Sequence, residues 1–324
     1  MIVYGIGGSG KTTLADAVYA SLKDKLEGWK YSKVTLIQNL KEDPNIEDLQ
    51  SSILQDLTAT KQSVRDFESG RQSLKDIIEK ESIFLYIDNA LFTEPLEKLL
   101  PKDVTSAKKL RLLLTARETV VSRVTEDCGV EPTKLYHLKP LSDDAALQVL
   151  CRKIDKKREK DSLLEERAQV KKIAEKCSCC PLFLEIIGAY IHQRKNTIEA
   201  YERVLDWLES GKDFGGSERY SFDEKRVLFS YEGLKSSAQD AFLDICSFFY
   251  DWKWETVACI VGEEEMECLL EGALIRRAYK KIKIHDLILA AGRNKSNKSK
   301  HSRLKNVDNF SLTLQNKEVC LNFH

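Results

Sequence analysis

The sequence predicts an α/β domain on a five-stranded parallel sheet, followed by a helical domain and a winged-helix domain. Three observations predict it. Over the first 140 residues short apolar runs alternate with amphipathic stretches, beyond Pro140 the strand pattern stops, and near residues 274–284 two strand-like runs flank a turn. Strand and helix in repeated alternation is the pattern of a doubly wound sheet. Helices followed by a two-stranded wing give the winged helix.

Five segments read as strands: Ile2–Tyr4, Lys33–Gln38, Ile83–Ile87, Leu110–Leu114 and Leu135–Leu138. Ile83–Ile87 is apolar at every position, as a strand covered on both faces requires. The clearest helix runs from Thr12 to Leu26, with Leu14, Val18, Leu22 and Leu26 on one stripe and Gly28 as its stop. After Pro140, Ser142 caps a helix carrying Ala145, Ala146, Val149 and Leu150. A charged helix over 162–176, an apolar one over Pro181–Ile191 and another over 197–209 follow. Gly211, Gly215, Gly216 and Ser217 mark a boundary. From about Tyr220, helices carry Phe242–Phe249, a hairpin pairs Leu274–Arg277 with Lys281–Ile284, and a short helix starts at Asp286. The turn at Ala278–Lys280 lacks the Gly or Asn that such turns favour. The expected domains are 1–140, 141–216 and 217–293, with 294–324 as a basic linker.

The chain has 324 residues, enough for two domains or three small ones. Its 51 acidic and 51 basic residues cancel, which removes any bulk attraction to nucleic acid or anionic membrane. No apolar run approaches membrane-spanning length. Nine cysteines without a secretory signal read as reduced thiols, so the expected compartment is the cytosol, with the nucleus as an alternative.

The chemistry concentrates at Gly5-Ile6-Gly7-Gly8-Ser9-Gly10-Lys11-Thr12, followed by Thr13. The segment fits the P-loop pattern at every defined position, with a strand before it and a helix after it. Its glycines let successive backbone N–H groups close around phosphate oxygens, and the helix points its positive end at the same anion. Lys11 supplies a charge for the β-phosphate of ADP or the β- and γ-phosphates of ATP, and the Thr12 hydroxyl is a Mg²⁺ ligand. Asp88, at the C-terminal edge of the buried strand, is the acid for that Mg²⁺ site. Asn89 follows it, and an amide takes no proton at neutral pH, so hydrolysis is expected to be slow or absent. Thr115 and Arg117 end another strand, with Arg117 in reach of a terminal phosphate.

Other features carry blander readings. Cys177, Cys179 and Cys180 lack the second spaced pair that zinc needs and read as buried thiols. Glu68-Ser69-Gly70-Arg71-Gln72 looks like a transporter-ATPase signature, but Asn89 and the spacing exclude that family; it reads as a loop opening a helix toward Lys80. The basic run Arg293, Lys295, Lys298, Lys300, Arg303 and Lys305 reads as a solvated linker rather than a nucleic-acid patch.

These residues resemble the NB-ARC module of plant nucleotide-binding leucine-rich-repeat immune receptors, over residues 2 to about 293. Gly5–Thr13 with Leu14-Ala15 is similar to GxGGxGKTTLA, Ile83–Asp88 to the second nucleotide motif, and Leu110–Glu118 to the arginine sensor strand. Tyr136–Ser142 resembles the segment leaving the nucleotide domain. Cys179-Cys180-Pro181-Leu182 stands where the family has GLPL. Ser230–Leu234 resembles SYDGL, Phe242–Phe249 resembles FLDIACFF, and Ile284-His285-Asp286 sits at MHD. The FLDI-type signature leans toward receptors with a TIR domain. Departures are Cys180 in place of the family's glycine, preceded by Cys179, together with Ile284, Asn89 and Ala116. The start only four residues before Gly5 reads as a receptor lacking its upstream cover, signalling domain and repeats.

The resemblance implies that Pro181 and Leu182 contact the adenine and that His285 reaches the β-phosphate of ADP. It implies a switch, closed with ADP and open with ATP, that self-associates in the ATP state and engages protein partners in immune signalling. The competing readings are a turnover ATPase or phosphotransferase and a nucleotide-independent adaptor or decoy.

Overall fold

The computed structural model describes residues 1–36, 45–90, 93–101, 109–128, 134–155, 167–210 and 222–298, in two compact units, Met1–Lys139 and Pro140–His324.

The first unit holds β1 (Ile2–Gly5), α1 (Lys11–Lys23), β2 (Lys30–Thr35), α2 (Ile46–Thr58), α3 (Phe67–Lys80), β3 (Ile83–Asp88), α4 (Thr93–Leu99), β4 (Leu110–Arg117), α5 (Val121–Cys128) and β5 (Leu135–His137). The five strands form one parallel sheet in the order β2-β3-β4-β1-β5. All six residues of β3 are buried, because apolar layers cover both faces. On one face Ile2, Leu85 and Ile87 pack with Ile53 and Leu54 of α2 and Leu74 of α3. On the other, Val3, Phe84 and Tyr86 pack under Ala15 of α1. Leu14, Val18 and Leu22 of the expected stripe join this second layer, so the α1 face follows from its 3.6-residue period.

In the first unit β2 and the start of α3 differ from expectation. Strand β2 runs from Lys30 to Thr35, three residues earlier than its apolar stretch indicates. Pairing decides it: Lys30 lies opposite Ile83 and Thr35 opposite Asp88, so the flush end of β3 fixes where β2 stops. Residues 37 and 38 of the expected strand lie outside the described residues. Glu68–Gln72 is no loop but the start of α3, since the Asp66 carboxylate caps the helix by accepting from the Ser69 N–H at 2.9 Å. Gly70 sits there because a Cβ would lie 2.0 Å from Gln50 Oε1. Gln50 is fully buried, and its Nε2 donates to the carbonyls of Phe67 and Lys98, each at 3.0 Å, which ties α2 to α3 and α4.

The second unit holds α6 (Asp143–Ile154), α7 (Arg167–Lys176), α8 (Pro181–Gln193), α9 (Ile198–Ser210), α10 (Phe222–Glu232), α11 (Ser236–Phe248), α12 (Trp254–Val261), α13 (Glu263–Glu271), β6 (Arg276–Ala278), β7 (Lys281–Lys283) and α14 (Asp286–Lys298). Ser142 caps α6 by accepting from the Ala145 N–H, and α8 is buried on nearly every side, as its apolar sequence requires. The hairpin β6–β7 turns through Tyr279 (φ +51°) and Lys280 (φ +62°). Both take the left-handed conformation of a two-residue hairpin turn without the Gly or Asn that favours it. Helix α14 is 13 residues long rather than short, and Arg293 and Lys295 of the expected basic run lie within it. Arg293 donates to the Cys246 carbonyl at 2.8 Å and Lys295 pairs with Glu232 at 2.9 Å. The rest of that run after Lys298 and the loop at 211–217 lie outside the described residues.

Candidate functional site

The loop between β1 and α1 has the geometry of an anion cradle. Gly5 (φ +153°) passes so close to the neighbouring chain that a Cβ would stand 2.7 Å from the Leu138 carbonyl oxygen. Gly10 (φ +96°) is the N-cap residue of α1, and no side chain caps that end. The first turn of α1 carries no acidic residue, so no carboxylate of its own opposes the positive end of the helix. The Ser9 hydroxyl is buried without a hydrogen-bond partner. Lys11 folds back over the loop, its ammonium donating to the carbonyls of Gly5 at 3.1 Å and Ile6 at 2.7 Å. Thr12 and Thr13 are exposed at the helix start, Gly7 is half-buried and Gly8 is buried.

The sheet brings a carboxylate to this loop. Asp88 ends β3 and is only 5% exposed. Its Oδ1 accepts from the Thr12 hydroxyl at 2.9 Å and from the Thr115 hydroxyl at 2.5 Å. Thr115, on β4, also accepts from the Asn89 N–H at 2.8 Å, so one hydroxyl orients the last residue of β3 and the one after it. Asn89 is left-handed (φ +61°), and its side-chain amide donates to the Leu36 carbonyl at 3.2 Å. A divalent cation that travels with nucleotide phosphates takes few protein ligands and keeps several waters. The Thr12 hydroxyl and Asp88 carboxylate, side by side at the cradle, fit that requirement. Arg117 ends β4 directly opposite Gly5 in the register. The first unit thus gathers the loop, Thr12, Asp88 and Arg117 at the C-terminal edge of the sheet, where ligands of open α/β sheets bind.

Thr115 is the functional-looking residue that pattern reading undervalues. Its signal is a lone hydroxyl inside the apolar run Leu112–Ala116, on a strand next to the one ending in the acid.

Pro181, Leu182 and His285 belong to the second unit. Pro181 is the first residue of α8, and Leu182 is buried behind it. The turn before it passes through Ser178 (φ +55°) and Cys179 (φ +48°), whereas Cys180 is extended (φ −84°). The position at which glycine would be at ease is therefore Cys179, not Cys180. Burial pushes the Cys177 thiol up to about 12, so it stays protonated beside this turn. His285 immediately precedes α14, with Nδ1 2.7 Å from the Asp286 carboxylate and 3.2 Å from the Leu287 N–H.

Residues 1–160 match the family model of the NB-ARC domain. Over 301 residues the chain is 26% identical to the disease resistance protein RUN1 of Vitis rotundifolia, covering 90% of this chain and 21% of that protein. It is 21% identical over 303 residues to the TMV resistance protein N of Nicotiana glutinosa, covering 90% of this chain and 25% of that one. The chain thus spans about a fifth to a quarter of the length of these relatives. Among solved structures it is similar to a signal transduction ATPase with numerous domains, carrying a tetratricopeptide repeat sensor, from Pyrococcus horikoshii. That match has a TM-score of 0.53 at 17% identity and covers 92% of this chain and 40% of the other, a likeness of fold.

Proposed function

The chain carries an NB-ARC domain over residues 1–160, and from that premise we propose that it is the nucleotide switch of a plant immune receptor, closed with ADP and open with ATP. The observation that carries the reading is the Thr12–Asp88–Thr115 hydrogen-bonded set beneath the P-loop, followed by Asn89 rather than a second acid. The set suits Mg²⁺ and a nucleotide diphosphate or triphosphate. When bound, the cation neutralises phosphate charge, while Asp88 is already oriented and Lys11 exchanges its loop carbonyls for phosphate oxygens. Asn89 holds its amide against Leu36 and takes no proton from water, which favours retention of the nucleotide over its consumption.

In this reading residues 141–216 form a helical domain and 217–293 a winged helix whose wing is the β6–β7 hairpin. Pro181 and Leu182 meet the adenine. His285 meets the β-phosphate through Nε2, because its Nδ1 is engaged by its own helix start. Exchange of ADP for ATP adds charge beside Arg117, and the state so favoured self-associates and meets its signalling partners, in the cytoplasm.

The test is the nucleotide that purified protein retains, together with calorimetry. ADP is expected in the wild-type protein, Lys11→Ala abolishes its binding and His285→Ala weakens it. Equal ADP affinity in all three proteins overturns the switch. Steady phosphate release from ATP at enzymatic rates would make it a turnover ATPase instead.

A further inference from the structure

The turn that presents Pro181 is strained. Ser178 and Cys179 are both left-handed, and neither is glycine. Such a pair persists only where its surroundings over-determine it. Backbone bonds from Ser178 and Cys179 back to Glu175 and Ala174 of α7 hold part of it, and the side-chain determinant comes from 48 residues beyond Ser178, on α10.

Arg226 is 4% exposed, rare burial for a charged side chain. Its Nη2 donates to the Lys176 carbonyl at 3.2 Å and to the Ser178 hydroxyl at 3.4 Å. Its guanidinium lies over the Phe183 ring, 4.5 Å from the centroid. Lys176 is the last residue of α7, so its carbonyl is one of the acceptors that a helix end leaves without an intrahelical donor. Phe183 is in the first turn of α8. One planar cation therefore spans the end of α7, the strained turn and the start of α8. Lysine has neither the flat face for Phe183 nor the forked donors.

We propose that Arg226 is a positioning residue for nucleotide binding: it fixes the 177–180 turn and so sets where Pro181 stands. The proposal rests on the reading of Pro181 as an adenine contact. It has a reciprocal side. If the seat of α10 governs Pro181, nucleotide held at Pro181 also stabilises the seat of α10, because coupling between two sites is mutual. The chain then has a direct link between the nucleotide and the helices of its C-terminal part, made by one side chain.

The experiment measures the affinity of fluorescently labelled ADP with Mg²⁺ for the whole chain and five variants: Arg226→Met, Arg226→Lys, Pro181→Ala, the Arg226→Met/Pro181→Ala double variant and Gly292→Ala. The last crowds Cys246 Sγ, 2.5 Å from the new Cβ, and perturbs the α11–α14 contact without touching the turn. Arg226→Met is expected to weaken ADP about tenfold, the size of a moderate coupling between contacting residues. Arg226→Lys, which keeps the charge and folds if the methionine variant does not, falls between. The double variant binds no more weakly than Pro181→Ala alone, and Gly292→Ala binds as wild type. Additive losses, an equal loss in Gly292→Ala or unchanged affinity in folded Arg226→Met and Arg226→Lys overturn the role. Hydrogen exchange of amides 177–183 separates the two layers of the argument. Absence of ADP binding by wild type with exchange still raised by Arg226→Met sinks the nucleotide reading while leaving the clamp intact. Full wild-type ADP binding with no change in exchange sinks the clamp itself.

Discussion

Replacing Thr115 with valine isolates the hydrogen-bonded set under the P-loop. The two side chains have nearly the same shape, and valine keeps the β-branch that suits a strand, so no cavity opens. What disappears is a hydroxyl that is 1% exposed, donates to Asp88 at 2.5 Å and accepts from the Asn89 N–H at 2.8 Å. A hydrogen bond to a charged group contributes about 1.5–3 kcal/mol, and an N–H left without a partner costs about 1 kcal/mol where, as at Asn89, the residue is partly open to water. The added methyl returns about 0.8 kcal/mol. The expected loss is therefore about 2–3 kcal/mol. Thr115→Ser keeps the hydroxyl and loses only a buried methyl, a cost of about 1 kcal/mol. Because the chain has two units, a melting curve ranks variants of one unit against each other but does not give the opening free energy of that unit. Hydrogen exchange of the β3 and β4 amides reads the opening free energy of the first unit directly. A valine variant as stable as the serine variant refutes the idea that the shared hydroxyl holds Asp88 and Asn89 in place.

Three further outcomes follow from the geometry. Gly70→Ala gains about 1 kcal/mol of helix propensity, yet its Cβ meets Gln50 Oε1 at 2.0 Å and Val64 Cγ1 at 2.8 Å. Overpacking of about 1–3 kcal/mol outweighs the gain, so exchange in α2 and α3 rises; a stabilised variant contradicts it. Cys179→Gly relieves a left-handed side chain and is expected to change stability by less than about 1 kcal/mol, whereas Cys180→Gly, extended and fully buried, loses about 1.5 kcal/mol or more; the reverse order in thermal melting returns the glycine-like position to 180. Burial of Asp251 raises its pKa, but hydrogen bonds from Lys281 and Lys283 outweigh that and hold the folded value below the ordinary 3.8. Its contribution is thus present above the unfolded pKa and lost as pH falls through the lowered folded one. Asp251→Asn should melt earlier than wild type at pH 5, with the gap closing below pH about 4; a pH-independent gap rules out this linkage.

The sequence is most informative where chemistry and local geometry coincide. Gly5 through Thr12 can be read from glycine placement alone, and the uniformly apolar Ile83–Ile87 marks the centre of the sheet. It is least informative where pairing overrides local pattern. The β2 strand begins at Lys30, a residue with no strong strand signal, because β3 supplies the template. Glu68–Gln72 looks like a loop by its Ser-Gly content, but the Asp66 cap and the Gln50 contact make it helix. At the site, Asp88 is legible from its place after a buried strand, whereas Thr115 becomes meaningful only once β4 lies beside β3. Arg226 carries no local signal at all, since its partners lie 43 to 50 positions earlier.

The order of strands also bears on assembly in time. Strand β1 bears the nucleotide loop, yet Ile2 pairs with Leu114 on one side and Leu135 on the other. Its neighbours in the sheet are thus made more than a hundred positions later, which at ribosomal speed is about 5–20 s. Strands β2 and β3 close over a shorter span, leaving the apolar run Ile83–Ile87 of β3 with one unpaired edge until β4 emerges. During that interval the cradle has no floor, because Asp88 lacks Thr115 and Gly5 lacks Leu138. The complete cradle therefore exists only once β4 and β5 have both joined β1.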